Sequence, residues 1–272
     1  MKLKKMFLGT IFLASAVTLA ACGSSESSDL QEDIKKDGKL VVAVSPDYPP
    51  FEFKTLVDGK DKVVGADIDL AQDIADELGV KLEVSTMSFD NVLASLKTGK
   101  ADIAISGLSV TEERKNAYTF SDAYYTTENA ILVRKEDEGK YTSLDQLSGK
   151  KVAVQKGSIE ENLAKDQLKD SQIVPLTAMG EAINELKSGV VDAVDLEKPV
   201  AEGYIAQNKD IALAKVALKV GDGDAKAVAM PKGKESKKLQ KTVNKVIAKM
   251  KKEGTYKQYI SDAAKLTGKA VE

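Results

Sequence analysis

Within nine residues, Ser106-Gly107-Leu108-Ser109-Val110-Thr111-Glu112-Glu113-Arg114 gathers the groups that hold an anion. Serine hydroxyls, backbone amides and a helix N-terminus all direct positive charge at a carboxylate. Thr111, with acids close behind it, has the pattern of a helix N-cap. Arg114 adds a planar, doubly donating guanidinium, the side chain best shaped to grip a carboxylate. Arg114 and Arg134 are the only arginines among 40 basic residues, so the chain uses lysine almost everywhere else. An arginine solvated on a helix surface fits the same residues, and residue types alone leave both readings of Arg114 open. Other chemistries are easier to exclude. Histidine is absent, which removes Ser-His and Cys-His pairs and nearly every zinc site. Cys22 is the sole cysteine, which removes an internal disulfide and any cysteine metal cluster.

Such a loop needs a sheet to present it, because open α/β sheets bind ligands beyond the carboxyl ends of their strands. The 272 residues, 43% apolar and 30% charged, suffice for one large domain or two of ordinary size. Short apolar runs at Lys39–Val44, 81–87, 101–106, Lys151–Gln155 and 191–196 read as buried strands. Between them, Leu70, Ala71, Ile74 and Leu78 before Gly79, then Val92, Leu93 and Leu96, then Met179, Ile183 and Leu186, fall at helical spacing. The alternation predicts parallel sheets covered on both faces. It also repeats. Gly38-Lys39-Leu40-Val41-Val42-Ala43-Val44 is echoed by Gly149-Lys150-Lys151-Val152-Ala153-Val154, and Leu96-Lys97-Thr98-Gly99-Lys100-Ala101-Asp102-Ile103-Ala104 by Leu186-Lys187-Ser188-Gly189-Val190-Val191-Asp192-Ala193-Val194. The echoes predict two lobes on one plan, although any helix-to-strand turn shares part of the pattern. The seams are expected around 125–130 and at Val220-Gly221-Asp222-Gly223-Asp224, where glycine permits hinge rotations. Residues 225–230 read as a last strand ended by Pro231. Leu239, Val243, Val246, Ile247 and Met250 then form an apolar helical stripe, with Lys241, Lys245 and Lys249 on a solvated face.

Lys2, Lys4 and Lys5 precede an apolar run of 16 residues, 6–21. The run is shorter than the roughly 20 residues of a membrane-spanning helix and suits a signal peptide. It ends in Leu19-Ala20-Ala21-Cys22, which resembles the lipobox of bacterial lipoproteins. That resemblance implies cleavage after Ala21 and a diacylglycerol on the Cys22 thiol, holding the protein outside the cytoplasmic membrane by lipid. The polar stretch 23–29 reads as a flexible tether. Removing the leader takes three lysines and no acid, leaving 37 basic and 42 acidic groups. No basic excess exists for a nucleic-acid partner.

From about residue 39 to 267 the chain resembles the solute-binding proteins of the polar amino-acid family (family 3) that serve ABC importers. Gly65-Ala66-Asp67-Ile68-Asp69-Leu70-Ala71-Gln72-Asp73-Ile74-Ala75 follows the family signature, with Ala66 replacing a larger apolar or aromatic residue. Ser106 to Arg114 resembles the family's carboxylate-binding stretch, with Gly107 where many members carry a second serine. Gln155-Lys156-Gly157-Ser158-Ile159 is similar to the turn of the other lobe that holds the same carboxylate; Ile159 stands where relatives often have threonine. Val191-Asp192-Ala193-Val194-Asp195-Leu196-Glu197 resembles the segment whose final acid binds the ligand's α-ammonium, and Glu197 is one methylene longer than the usual aspartate. Tyr48, Phe51 and Phe89 match the aromatics that surround the ligand side chain; Tyr48 and Phe89 are assigned to the pocket, while Phe51 fits core packing equally. Ser45 stands where some binders of basic ligands have aspartate.

The resemblance implies an α/β, two-lobed, periplasmic-binding-protein-like (type II) fold with a hinge crossed twice. Its parts are expected as a signal peptide at 1–21, a tether at 22–36, a first lobe at 37–126 with 224–270, and a second lobe at 127–223. Ser106, Ser109, Arg114 and the amide of Gly107 are expected to hold a free L-amino acid's carboxylate; Gly157, Ser158, Ile159 and Glu197 engage it as the lobes close. Closure is favoured because the ligand touches both lobes only in the closed state. The expected partners are the ligand, an ABC importer permease and the membrane through Cys22; the protein is expected to be a monomer without cofactor or metal. Asp47, Asp90 and Glu128 near the pocket favour arginine, lysine, histidine or glutamine over glutamate, although Lys156 is placed to meet an acid. Two other uses of such a fold are a cyclohexadienyl dehydratase-like enzyme and an amino-acid-sensing domain. With the sequence read to Glu272, no further catalytic or signalling segment is expected, and binding without turnover is the favoured reading.

Overall fold

The computed structural model describes residues 29–221 and 224–267; the leader, Cys22, Asp222 and Gly223 lie outside the described residues. Two five-stranded sheets form, one per lobe. In the first, Lys81–Thr86, Lys39–Val44 and Ile103–Ala104 run parallel, followed by Ala229–Pro231 and Tyr118–Phe120. The second repeats this order with Gln172–Leu176, Lys151–Gln155, Ala193–Glu197, Asn129–Arg134 and Ile211–Leu213. Leu40, Val42, Ala43 and Val44 in one lobe and Val152, Ala153 and Val154 in the other are fully buried, as strands covered on both faces require.

The sequence echoes correspond to one repeated contact. In the first lobe Asp102 ends the turn after the helix Phe89–Lys97; its carboxylate accepts the Val41 amide at 2.8 Å and its amide donates to the Val41 carbonyl at 2.9 Å. Asp192, after the helix Met179–Ser188, makes the same pair with Lys151 at 3.0 and 2.8 Å. Each aspartate thus pins an incoming strand beside the central one. Gly79 and Gly189 end their helices in the left-handed conformation, at φ +72 and +77, and donate back to the last turn.

The sheets are mixed rather than parallel throughout. Ala229–Pro231 is antiparallel to both its neighbours, and so is Asn129–Arg134. These are the strands that the chain lays down just after each passage between the lobes. The passages themselves pair: Tyr125–Thr127 and Asp224–Lys226 form a two-stranded antiparallel ribbon. A ribbon, with glycine only at its approach, therefore makes the crossing. The expected strand 225–230 is split between this ribbon and the first sheet.

Two segments depart further from expectation. The tether, expected to reach residue 36, gives way to a helix, Leu30–Asp37. Asp29 caps it through the Gln31 amide at 3.0 Å, and Ile34 and Gln31 are buried. Gln31 accepts from Thr242 at 2.7 Å, docking it on the helix Lys237–Glu253. An unexpected hairpin, Glu52–Val57 and Lys60–Val64, turns at Asp58 and Gly59, both at positive φ. It pairs with Asp47–Tyr48 and so fixes Tyr48. Gly65 follows at φ +133, and a Cβ there would lie 2.2 Å from the Phe51 carbonyl oxygen, so only glycine lets the next helix start. The stripe Leu239, Val243, Val246, Ile247 and Met250 is buried as expected, and Lys245 pairs with Glu77 at 2.6 Å.

Candidate functional site

Thr111 caps the short helix Glu112–Ala117, accepting the Arg114 amide at 3.1 Å. This places Arg114 in the first turn with its side chain directed across the cleft. Nη1 donates to the Ser109 carbonyl at 2.8 Å, and Nη2 reaches the Gly157 carbonyl of the second lobe at 3.1 Å. Its guanidinium lies 5.9 Å over the Phe89 ring. Burial pulls the guanidinium's pKa down, opposed by Glu160, Asp224 and Glu197. A cavity of about 730 Å³ separates the lobes here; Ser109, Thr111 and Arg114 line one side and Gly157, Ser158 and Ile159 the other.

Glu197 closes the strand Ala193–Glu197 and is 2% exposed. Lys226, fully buried on the crossing ribbon, donates to Glu197 Oε1, to Asp224 Oδ2 at 2.6 Å and to Ser109 Oγ at 2.8 Å. Ser109 therefore joins the two halves of the site: its carbonyl accepts from Arg114 and its hydroxyl from Lys226. Glu160, buried in the first turn of the helix Ile159–Gln167, completes a group of three acids with Glu197 and Asp224; one ligand atom of each lies within 4.8 Å of the others. Burial pushes the Glu160 carboxyl up, while Lys226 pulls against it. Asp195, one turn of the pleat away on the same strand, is driven well up by burial and by Glu160. Tyr48 is 5% exposed; burial and then the charges of Glu197 and Glu160 raise its phenol well above the ordinary value.

Several expected contacts are already engaged within the protein. The Gly107 amide, expected for the ligand's carboxylate, donates to Asp67 Oδ2 at 2.8 Å. The Ser106 hydroxyl accepts from the Ser45 amide at 2.9 Å and donates to Glu52 at 2.6 Å, so it shapes the loop from beneath. Gly157 donates its amide to Glu161 at 2.8 Å, and Ser158 caps the helix by accepting the Glu161 amide at 3.2 Å. Phe51 belongs to the core, edge-on to Tyr125 at 5.6 Å. Of the acids expected to select a cation, Asp90 pairs with Lys156 across the cleft at 3.0 Å, Asp47 accepts the Met179 amide at 2.7 Å, and Glu128 lies near Lys198 at 3.6 Å.

Lys226, Asp224 and Glu160 were not among the expected site residues. Their signal was charge interrupting order: a lysine inside Ala225-Lys226-Ala227-Val228-Ala229, and an acid directly after Ser158-Ile159 at a helix start.

With this geometry in view, the profile of the bacterial extracellular solute-binding proteins, family 3, matches residues 40–262. The chain belongs to that family. Its fold is accordingly the two-lobed type II periplasmic-binding-protein fold. The arginine-binding extracellular protein ArtP of Bacillus subtilis is 35% identical over 254 residues, 93% of this chain and 94% of that protein. An amino acid ABC transporter substrate-binding protein from Streptococcus pneumoniae, solved with L-arginine bound, is 55% identical. It superposes with a TM-score of 0.86 over 88% of this chain and 99% of its own. An ancestral amino acid-binding protein, a precursor of cyclohexadienyl dehydratase, is 36% identical with a TM-score of 0.77, covering 85% of this chain and 98% of that one.

Proposed function

We propose that this family 3 protein captures free L-arginine between its lobes, without turnover, and presents it closed to the permease of an ABC importer. The observation that carries the reading is the continuous bridge from Arg114 through Ser109 and Lys226 to Glu197, which links a cation suited to a carboxylate on one lobe to a buried acid on the other. Arg114 takes the ligand's carboxylate, and Glu197 with Ser109 takes its α-ammonium. Charge selects the side chain. With Glu197 ionised against the ligand's ammonium, Glu160, Glu197 and Asp224 face, among the described residues, the two cations Lys226 and Arg114, which leaves one negative charge in excess. An amino acid with a cationic side chain neutralises that excess, and one with an acidic side chain doubles it. The relatives that are named for arginine agree with this selection. Diacylglycerol on Cys22 tethers the protein at the outer face of the cytoplasmic membrane, where it works as a monomer.

Thermal-shift and calorimetric titration with the twenty amino acids, prephenate and arogenate tests the reading. Arginine is expected to raise Tm most and bind tightest, lysine next, and glutamate to bind no better than glycine. Release of a phenyl or keto-acid product from prephenate or arogenate, or no binding of any amino acid, overturns it.

A proton accompanies binding. Burial pushes Glu197 up to about 8, with Lys226 pulling it down and Glu160 and Asp224 adding to the rise. An ammonium brought against Glu197 lowers that value, so the carboxyl gives up its proton as ligand enters. Affinity for arginine is thus expected to rise with pH between about 6 and 8, by up to about tenfold per unit. Calorimetry at pH 7 in two buffers of unlike ionisation enthalpy should read close to one proton released per arginine. No proton exchange would remove Glu197 from the ammonium's contacts.

A further inference from the structure

We propose that Lys226 is a tethered competitor for the α-ammonium of the captured amino acid, holding Ser109 Oγ and one oxygen of Glu197, for which the ligand competes with it. The inference rests on the assignment of Ser109 and Glu197 to the ammonium, and it concerns what occupies them first.

The geometry is that of a built-in ammonium. Lys226 Nζ donates to Ser109 Oγ at 2.8 Å from the first lobe and to Glu197 Oε1 from the second. Its backbone is clamped to the carboxylate loop: Ser109 and Lys226 form a bridge, Val110 donates to the Ala225 carbonyl at 3.0 Å, and Ala227 donates to the Leu108 carbonyl at 3.1 Å. A fixed backbone with a flexible four-carbon stem lets the amine shift while the strand stays in place. A place for it to shift to is present. Asp224, two residues back on the same strand, already accepts from Nζ at 2.6 Å. Asp224 Oδ1, Glu160 Oε1 and Glu197 Oε2 are buried with no hydrogen-bond partner among the described residues, and all three belong to the same cluster of acids. Lys226 can therefore withdraw onto Asp224 and Glu160 and surrender Ser109 and Glu197, keeping its charge paired throughout.

Arginine binding is then opposed by the contacts that Lys226 gives up, and by repulsion between two ammonium groups sharing one cluster. A ligand that lacks the α-ammonium displaces nothing. The groups that bear on Lys226 are Glu197, Asp224, Glu160 and Ser109; removing the amine together with one acid keeps the cluster's net charge and so acts on the ammonium end of the ligand.

The test is calorimetric titration of L-arginine and of 5-guanidinopentanoate, its analogue without the amino group, into wild type, Lys226→Met and Lys226→Met/Asp224→Asn. The double variant removes one acid together with the base, which keeps the buried charge in balance and the closed fold accessible should the single variant not fold. Arginine is expected to bind the variants at least about tenfold tighter, the worth of about one charge-assisted hydrogen bond. In the charge-balanced double variant the analogue is expected to stay near its wild-type affinity. Unchanged or weaker arginine binding by the double variant overturns the proposal, as does an equal gain for the analogue. Failure of the underlying reading looks different: wild type itself then binds no amino acid, and the competitor goes with it.

Discussion

Replacing Arg114 by alanine is expected to weaken L-arginine binding at least about a hundredfold while leaving the protein folded. A guanidinium gripping a carboxylate supplies two parallel charge-assisted bonds, each worth about 1.5–3 kcal/mol, and a hundredfold loss corresponds to about 2.7 kcal/mol. The Gly107 amide of the same loop cannot take over, because it is held by Asp67 at 2.8 Å. Arg114 contributes little to the core. It lies in a six-residue helix with no buried residue and makes two bonds, to the Ser109 and Gly157 carbonyls. The second bond spans the lobes, so the variant is also expected to close less readily around a ligand. Arg114→Lys keeps the charge without the planar fork and should fall between wild type and alanine. Calorimetry gives the affinities, and thermal unfolding should show Tm within a few degrees of wild type. Arginine bound by Arg114→Ala with wild-type affinity would remove the carboxylate assignment.

The loop proposed for the ligand's carboxylate is legible as a loop because its parts are contiguous. A strand, a small-residue loop, a capping threonine and an arginine succeed one another between Ile103 and Arg114, and local rules of capping and strand ends apply to them directly. The cluster proposed for the ammonium comes from Glu160, Glu197, Asp224 and Lys226, on two helix starts, a strand end and the crossing ribbon. Nothing in their sequence spacing requires that they meet. They meet because the ribbon returns the chain between the lobes, and that pairing of Tyr125–Thr127 with Asp224–Lys226 is a long-range contact. The same crossing decided the antiparallel strands, whose direction depends on where the chain re-enters each sheet and not on their own apolar pattern. Two lobes were legible for the opposite reason: Asp102 and Asp192 each follow a helix and a left-handed glycine, Gly99 and Gly189, and each pin a neighbouring strand, so one local device appears twice. Ser106 and Gly107 mark the limit of reading residue types. Their groups are suited to an anion, yet Glu52 and Asp67, 54 and 40 residues earlier, already engage them.

Asp67→Ala is expected to be the most destabilising single substitution that lies outside the apolar core. Asp67 is fully buried in the first turn of the helix Ala66–Leu78. Its carboxylate accepts the Gly107 amide at 2.8 Å, the Tyr124 hydroxyl at 2.9 Å and the Tyr256 hydroxyl at 2.5 Å. It thereby fastens the carboxylate loop, the approach to the crossing and the C-terminal helix Thr255–Thr267 to one point. Burial pushes its pKa up, and the donors around it pull the other way. Glu52 beside it is driven well above the ordinary carboxyl range by burial and by the charge of Asp67. Alanine leaves three buried donors without an acceptor, at about 1–3 kcal/mol each, for a total of about 3–6 kcal/mol once the tyrosines readjust. For a chain of this size that lowers Tm by roughly 10 °C or more. Asp67→Asn keeps one acceptor oxygen but turns an amide toward existing donors, so it should recover only part of the loss. The two effects of Asp67 are separable: arginine added in excess raises the variant's Tm by mass action if the loop still forms, and the rise is smaller than in wild type if Gly107 has moved. Unfolding at the wild-type temperature would show that the tyrosines and the loop find other partners, and that the network around Asp67 holds nothing in place.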